Sequence, residues 1–165
     1  MRALGRDLAR LTRAGDLVIL SGELGAGKTA LTQGIGEGLH VTGDVISPTF
    51  VLARMHAPVG DGPGLVHADA YRLSGPAEID DLDLDAWMPW SVTVVEWGLG
   101  VADHLSADRL EIDITTADDP ADETREVVVT PVGARWDGLV RDWEHVMNEV
   151  SGRDAAADAE GADGV

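Results

Sequence analysis

Eight consecutive residues carry the clearest chemistry in this chain. Gly22-Glu23-Leu24-Gly25-Ala26-Gly27-Lys28-Thr29 satisfies the pattern G-x-x-x-x-G-K-[ST] through Gly22, Gly27, Lys28 and Thr29, the spacing of a phosphate-binding loop. Glycines let a backbone turn tightly and aim several N–H groups at one centre. A helix starting at the end of such a loop adds its own unbonded N–H groups and the positive end of its dipole. Lys28 supplies a compact cation for the β- and γ-phosphates of a nucleotide, and the Thr29 hydroxyl stands where a ligand to Mg²⁺ is needed. Lys28 is also the single lysine of the chain; the other 11 basic residues are arginines. A sequence that otherwise uses arginine keeps lysine where a point charge must enter a narrow cradle.

A cation held by Thr29 needs a carboxylate nearby, and the ends of buried strands are where one is expected. Val92-Thr93-Val94-Val95-Glu96 is an apolar run closed by an acid, the form of a Walker B element. Leu65-Val66-His67-Ala68-Asp69 has the same form. For either acid alone, a solvated strand end is the alternative. Beside a P-loop the functional reading is preferred for both, more clearly for Glu96. Lys28 and Glu96 are thus candidates for the chemistry, and Thr29, Asp69 and Glu96 for the metal. No N-K-x-D element, the guanine-reading signature, occurs, and its lysine is excluded because Lys28 stands alone. ATP is the expected nucleotide over GTP.

The elements that must position these residues can be read from periodicity. Leu17, Val18, Ile19 and Leu20 form a short apolar run ending at the glycine-rich turn, which reads as a buried strand over residues 16–21. A helix is expected over 29–39, weakened by Gly34, Gly36 and Gly38. Leu4, Leu8 and Leu11 recur at helical spacing ahead of Gly15. Further strands are expected over 50–55, 65–69 and 92–97. Pro76 can open a short helix carrying Glu78 and Ile79, and the acidic stretch up to Trp87 reads as its end plus a solvated loop. Leu110, Ile112 and Ile114 alternate with polar residues, as do Val127 and Val129; they predict an antiparallel pair joined by an acidic loop over 115–124. Trp136, Leu139, Val140, Trp143, Val146, Met147 and Val150 make one apolar stripe, read as a core-facing last helix. Residues 151–165 are Ala, Asp, Gly and Glu with one arginine, and cannot bury enough apolar surface to offset their ordering entropy. The expected organisation is one nucleotide-binding α/β domain over 1–150 and a disordered acidic tail over 151–165.

Composition narrows the function. The 165 residues suffice for one domain with a real core. No cysteine is present, which excludes disulfides, thiolate metal sites and a cysteine nucleophile and suits a reducing cytosol. No apolar run approaches the ~20 residues a membrane-spanning helix needs. Thirty acidic residues stand against 12 basic ones, for a net charge of −18; such a chain repels nucleic-acid phosphates at long range. Binding to nucleic acid is expected only through a partner or a local basic patch.

In motif order from Leu4 to Val129, the chain resembles the bacterial ATPase family of tRNA threonylcarbamoyladenosine biosynthesis (TsaE, also called YjeE). Leu4-Gly5-Arg6-Asp7-Leu8-Ala9 and Gly15-Asp16-Leu17-Val18 precede the P-loop, and Gln33-Gly34-Ile35 follows it. Ser47-Pro48-Thr49-Phe50, His67-Ala68-Asp69-Ala70-Tyr71-Arg72-Leu73 and Glu96-Trp97 complete the set. The only phenylalanine and the only tyrosine, Phe50 and Tyr71, fall inside it. The resemblance implies a P-loop NTPase three-layer sandwich with a mainly parallel sheet and an antiparallel C-terminal pair. It implies that residues 22–30 hold ATP, that Thr29, Asp69 and Glu96 hold Mg²⁺, and that the loop from Ser47 to Phe50 senses the γ-phosphate, with Thr49 offering its hydroxyl. Tyr71, Arg72 and Trp97 have weaker cases: Arg72 could meet phosphate or an acid, and Trp97 could line the nucleotide or simply pack. Two positions depart from the family pattern. Ala30 replaces a second threonine, with one hydroxyl fewer but its backbone N–H kept. The chain begins almost inside its first helix, where an earlier strand is usual, which leaves one sheet edge open and does not touch the site.

The same resemblance implies a cytoplasmic ATP-hydrolysing component that acts with the TsaD–TsaB pair, meets tRNA only through that complex, and does not transfer the threonylcarbamoyl group itself. No arginine finger can be placed from the sequence, so slow hydrolysis alone and faster hydrolysis in the complex are expected. Two alternatives of other classes stand beside it. One is a small-molecule P-loop kinase, which would want clustered arginines on a lid, whereas those after Arg72 are scattered singly. The other is a non-catalytic module in which ATP only orders a partner surface.

Overall fold

The continuous apolar run from Leu17 to Leu20 has no polar face to offer water, so it must be covered on both sides. In the computed structural model, which describes residues 1–117, 119, 122, 124–139 and 143, it is. The strands are β1 (Leu17–Gly22), β2 (Ala53–His56), β3 (Gly64–Asp69), β4 (Ser91–Glu96), β5 (Arg109–Thr116) and β6 (Arg125–Val132). They form one sheet in the order β2-β3-β4-β1-β5-β6. The four central strands run parallel, and each edge strand is antiparallel to its neighbour. The β5–β6 pair agrees with the alternation read from the sequence; the second antiparallel edge, β2 on β3, carries no such signal.

Alternation splits β1 between two cores. Val18 and Leu20 face α1 (Arg2–Ala9) and α2 (Lys28–Gly38), packing with Leu8, Leu31 and Ile35. Leu17 and Ile19 face the other way, against Ile79 of α3 (Pro76–Asp80) and against Leu84 and Met88 in the 3₁₀ turns that follow. Helical layers on both faces of the sheet make a three-layer α/β sandwich.

The strand expected over 50–55 starts later, at Ala53. The Pro48 carbonyl accepts N–H bonds from both Val51 and Leu52, at 2.9 and 2.7 Å, and Leu52 has φ +67°. This turn takes up the first three residues before Ala53 can pair with Ala68. Gly34 does not simply weaken α2. A Cβ there would strike the Arg2 carbonyl oxygen and come within 2.8 Å of Arg2 Cα, so the glycine is what lets the two helices touch backbone to backbone.

Of the stripe expected as a last helix, Trp136 lies buried in a 3₁₀ turn and Leu139 is buried, while Trp143 packs against the α1–α2 core. Val140, Val146, Met147 and Val150, and the tail over 151–165, lie outside the described residues. Among the described residues no helix is long and apolar enough to cross a membrane.

Candidate functional site

Parallel strands deliver their C-terminal ends to one edge of the sheet. β1 ends at Gly22, β3 at Asp69 and β4 at Glu96. Register sets the two acids side by side, Asp69 opposite Glu96 and Leu20 opposite Glu96. The glycine loop then leaves β1 and crosses above them into α2.

Gly27 is the N-cap of α2 with φ +115°, a left-handed conformation that glycine takes without strain, and no side chain caps the helix. The first-turn N–H groups, those of Lys28 and Thr29 among them, have no intrahelical acceptor. With the dipole behind them they make an anion site. Ala26 behaves differently: its side chain is buried in the α1–α2 core and its N–H closes the turn on the Glu23 carbonyl at 3.1 Å. Its part in the loop is to hold the turn's shape.

Lys28 is almost wholly buried. Its Nζ donates to the carbonyls of Gly22 and Glu23 at 2.7 and 2.8 Å and lies 3.8 Å from the centroid of a Trp97 ring. Burial lowers its pKa from the ordinary lysine value, and the charges of Glu96 and Asp69 oppose that shift. Trp97 is itself held at φ +60°, with its ring 5.1 Å from that of Tyr71.

The Thr29 hydroxyl donates to Glu96 Oε1 at 2.8 Å. Donating its proton there leaves the hydroxyl's lone pairs for a cation. On the other side Thr49 Oγ1 donates to Asp69 Oδ2 at 2.5 Å and lies 2.7 Å from Ser47 Oγ, while the Tyr71 N–H donates to Asp69 Oδ1 at 2.9 Å. A cavity of about 280 Å³ joins these groups: Gly27, Lys28, Thr29, Ala30, Thr49, Asp69 and Glu96 all line it. A larger one, of about 1080 Å³, lies across the loop, against the end of β5, and is lined by Gly22, Glu23, Leu24 and Gly25. Neither strand-end acid reaches it, so the reactive chemistry is assigned to the smaller cavity.

The donor set suits Mg²⁺. Hydroxyl and carboxylate oxygens are hard ligands, and Mg²⁺ in nucleotide sites is bound by one or two carboxylates together with substrate phosphates. Among the described residues no group of three or more His, Asp or Glu side chains is placed to hold a metal ion by itself.

Two contributors were not legible as such in the sequence. One is the backbone of Tyr71, which holds Asp69. The other is His67, whose Nε2 lies 2.8 Å from Glu96 Oε1 with both side chains buried. Its signal was available: Leu65, His67 and Asp69 alternate onto one face of β3, so an interior histidine shares the face of the strand-end acid. Arg72 stays at the surface, stacked 4.8 Å from Phe50.

Known proteins resemble this chain over most of its length. A family model described as threonylcarbamoyl adenosine biosynthesis protein TsaE matches residues 1–127. The tRNA threonylcarbamoyladenosine biosynthesis protein TsaE of Streptomyces coelicolor is 63% identical over 138 residues, covering 82% of this chain and 93% of its own. The protein of the same name from Bacillus subtilis is 38% identical over 140 residues, covering 84% of each. The crystal structure of Bacillus subtilis YdiB matches with a TM-score of 0.62 at 32% identity, covering 93% of this chain and 88% of that one.

Proposed function

The chain belongs to the TsaE family, with a P-loop NTPase fold, and from that premise we propose that it binds Mg-ATP and hydrolyses it as the ATP-using component of tRNA threonylcarbamoyladenosine biosynthesis. The observation that carries the proposal is the 2.8 Å hydrogen bond from Thr29 to Glu96. It joins the hydroxyl that follows the phosphate loop to the acid at the end of β4, beneath an uncapped helix N-terminus.

In this reading the α2 N–H groups and Lys28 bind the β- and γ-phosphates and stabilise the charge that develops there. Lys28 exchanges its carbonyl partners, Gly22 and Glu23, for phosphate oxygens. Thr29, Asp69 and Glu96 would hold Mg²⁺, which when bound neutralises charge on the β- and γ-oxygens. Glu96 orients the attacking water, and Thr49 reports the γ-phosphate to the loop it belongs to. The water oxygen bonds to the γ-phosphorus, the bond to the ADP oxygen breaks, and the water's proton leaves to a neighbouring base or solvent. Among the described residues no arginine lines the smaller cavity, which supports slow hydrolysis by the chain alone. We assign the partner as the TsaD–TsaB pair and the place as the cytoplasm. The net charge of −18 favours contact with tRNA through that complex over direct binding.

The test is ATP hydrolysis by the purified chain, alone and with TsaD–TsaB, with Lys28→Ala as control. A low rate that rises with the partners and vanishes in the control is the expected result. Intact ATP binding without stimulation would remove the partnership and leave nucleotide binding standing. Hydrolysis undiminished in Lys28→Ala would remove the site itself.

A further inference from the structure

His67 sits among apolar neighbours. In β3, Leu65, Val66 and Ala68 are buried hydrophobics, and His67 between them is wholly buried. Its Nε2 lies 2.8 Å from Glu96 Oε1, while its Nδ1 has no hydrogen-bond partner among the described residues. Burying an imidazole with one nitrogen unpartnered costs stability that a leucine or valine would not. A histidine kept for packing alone does not account for that cost. The contact with Glu96 does.

We infer that His67 is a positioning residue for hydrolysis: its Nε2–H holds Glu96 Oε1 and so fixes which carboxylate oxygen faces the nucleotide. This rests on reading Glu96 as the acid of the hydrolytic step. Oε1 accepts from two donors, Thr29 Oγ1 on α2 and His67 Nε2 on β3, each at 2.8 Å. Donors anchored on different elements cannot both be kept if the carboxylate rotates. With both lone pairs of Oε1 engaged, Oε2 is the oxygen left to meet water or cation. The role is mechanical, and requires no change in the ring's protonation. Groups that orient a ligating or catalytic side chain from behind cost about 10- to 100-fold in activity when removed.

The experiment compares full-length His67→Leu, His67→Gln and Glu96→Gln in ATP hydrolysis and in metal-free ADP binding, with thermal unfolding as the check on folding. His67→Leu should lower kcat by about 10- to 100-fold and leave ADP affinity unchanged. His67→Gln, whose amide nitrogen reaches about as far as Nε2, should restore most of kcat. Adding His67→Leu to Glu96→Gln should lower the rate no further. Wild-type kcat in His67→Leu, or equal losses in the Leu and Gln variants, overturns the inference. Wild-type hydrolysis in Glu96→Gln would instead overturn the reading of Glu96; measured by itself, that variant keeps the two failures apart. Should His67→Leu not fold, His67→Asn replaces it, its amide being too short to reach Oε1. Equal kcat in the Asn and Gln variants then overturns the inference.

Discussion

Thr49 donates to Asp69 across 2.5 Å, tying the loop after Pro48 to the end of β3. Asp69 is held from its other oxygen by the Tyr71 N–H. The Leu52 carbonyl of the same loop accepts the Asp69 N–H at 2.9 Å, so the backbone anchors the loop's end and the Thr49 hydroxyl is the contact for which a phosphate can compete.

Thr49→Val tests this. The side chain keeps its shape and loses the donor. We expect kcat to fall by about 10-fold or more, with ADP affinity unchanged, since ADP lacks the phosphate the loop would meet. Parallel loss of ATP and ADP binding at unchanged kcat would mean that Thr49 only shapes the pocket.

Lys28 gives a pH signature with a definite sign. Burial lowers its pKa from 10.5, against the opposing pull of Glu96 and Asp69, so the folded chain releases this proton before the unfolded chain does. Below the lowered folded value both states are protonated and the burial cost is carried in full. As pH climbs from there towards 10.5, the unfolded state binds more protons and stability at this site rises. ATP affinity runs the other way, because a neutral amine offers phosphate no charge. Denaturant unfolding should show wild type gaining on Lys28→Met through that window, and ATP titration should show affinity falling as pH rises, before 10.5 is reached. A pH-independent difference between the two proteins would show that Lys28 titrates at its ordinary value.

The membership of the candidate site was more legible in the sequence than the scaffold that gathers it. Gly22, Gly27, Lys28 and Thr29 announce themselves because phosphate binding needs those types at fixed spacing, and Asp69 and Glu96 because each closes an apolar run. The pairing of β4 between β1 and β3 has no local signal; it is a choice among parallel neighbours made by packing. The turn at Phe50-Val51-Leu52 was hidden because three apolar residues read as strand, and only the Pro48 carbonyl accepting two N–H bonds shows otherwise. His67 stood in a motif, but its contact with Glu96 was hidden, since that partner lies 29 residues away. Gly34 read as a weakness of α2, because helix propensity is local and the approach of α1 is not.

Gly34→Ala therefore separates propensity from packing. By propensity alone it should stabilise α2 by about 1 kcal/mol. The new Cβ strikes the backbone of Arg2, which cannot swing aside as a side chain could. Overpacking of this kind costs about 1–3 kcal/mol, so a net loss is expected. Thermal unfolding reads it directly, and a raised Tm would show that α1 slides on α2 more easily than the contact implies.

Arg135 and Asp16 should show stability without catalysis. Arg135 Nε and Nη2 grip the two oxygens of Asp16 at 3.0 and 2.8 Å, and Nη2 also reaches the Leu11 carbonyl at 2.8 Å. Asp16 is buried, while Arg135 keeps 21% of its side chain exposed. Arg135→Ala would leave Asp16 with the Arg13 N–H as its remaining donor among the described residues. Water can reach the vacated side, so the loss should lie near about 1–3 kcal/mol and below the larger cost of breaking a sealed pair. For a chain of this size each kcal/mol moves Tm by roughly 2–4 °C. Asp16 precedes β1 and the phosphate loop follows it, about 20 Å away at strand rise. ATP hydrolysis measured well below the lowered Tm should match wild type. A rate loss in the folded variant would mean that β1 transmits strain from its base to the phosphate loop.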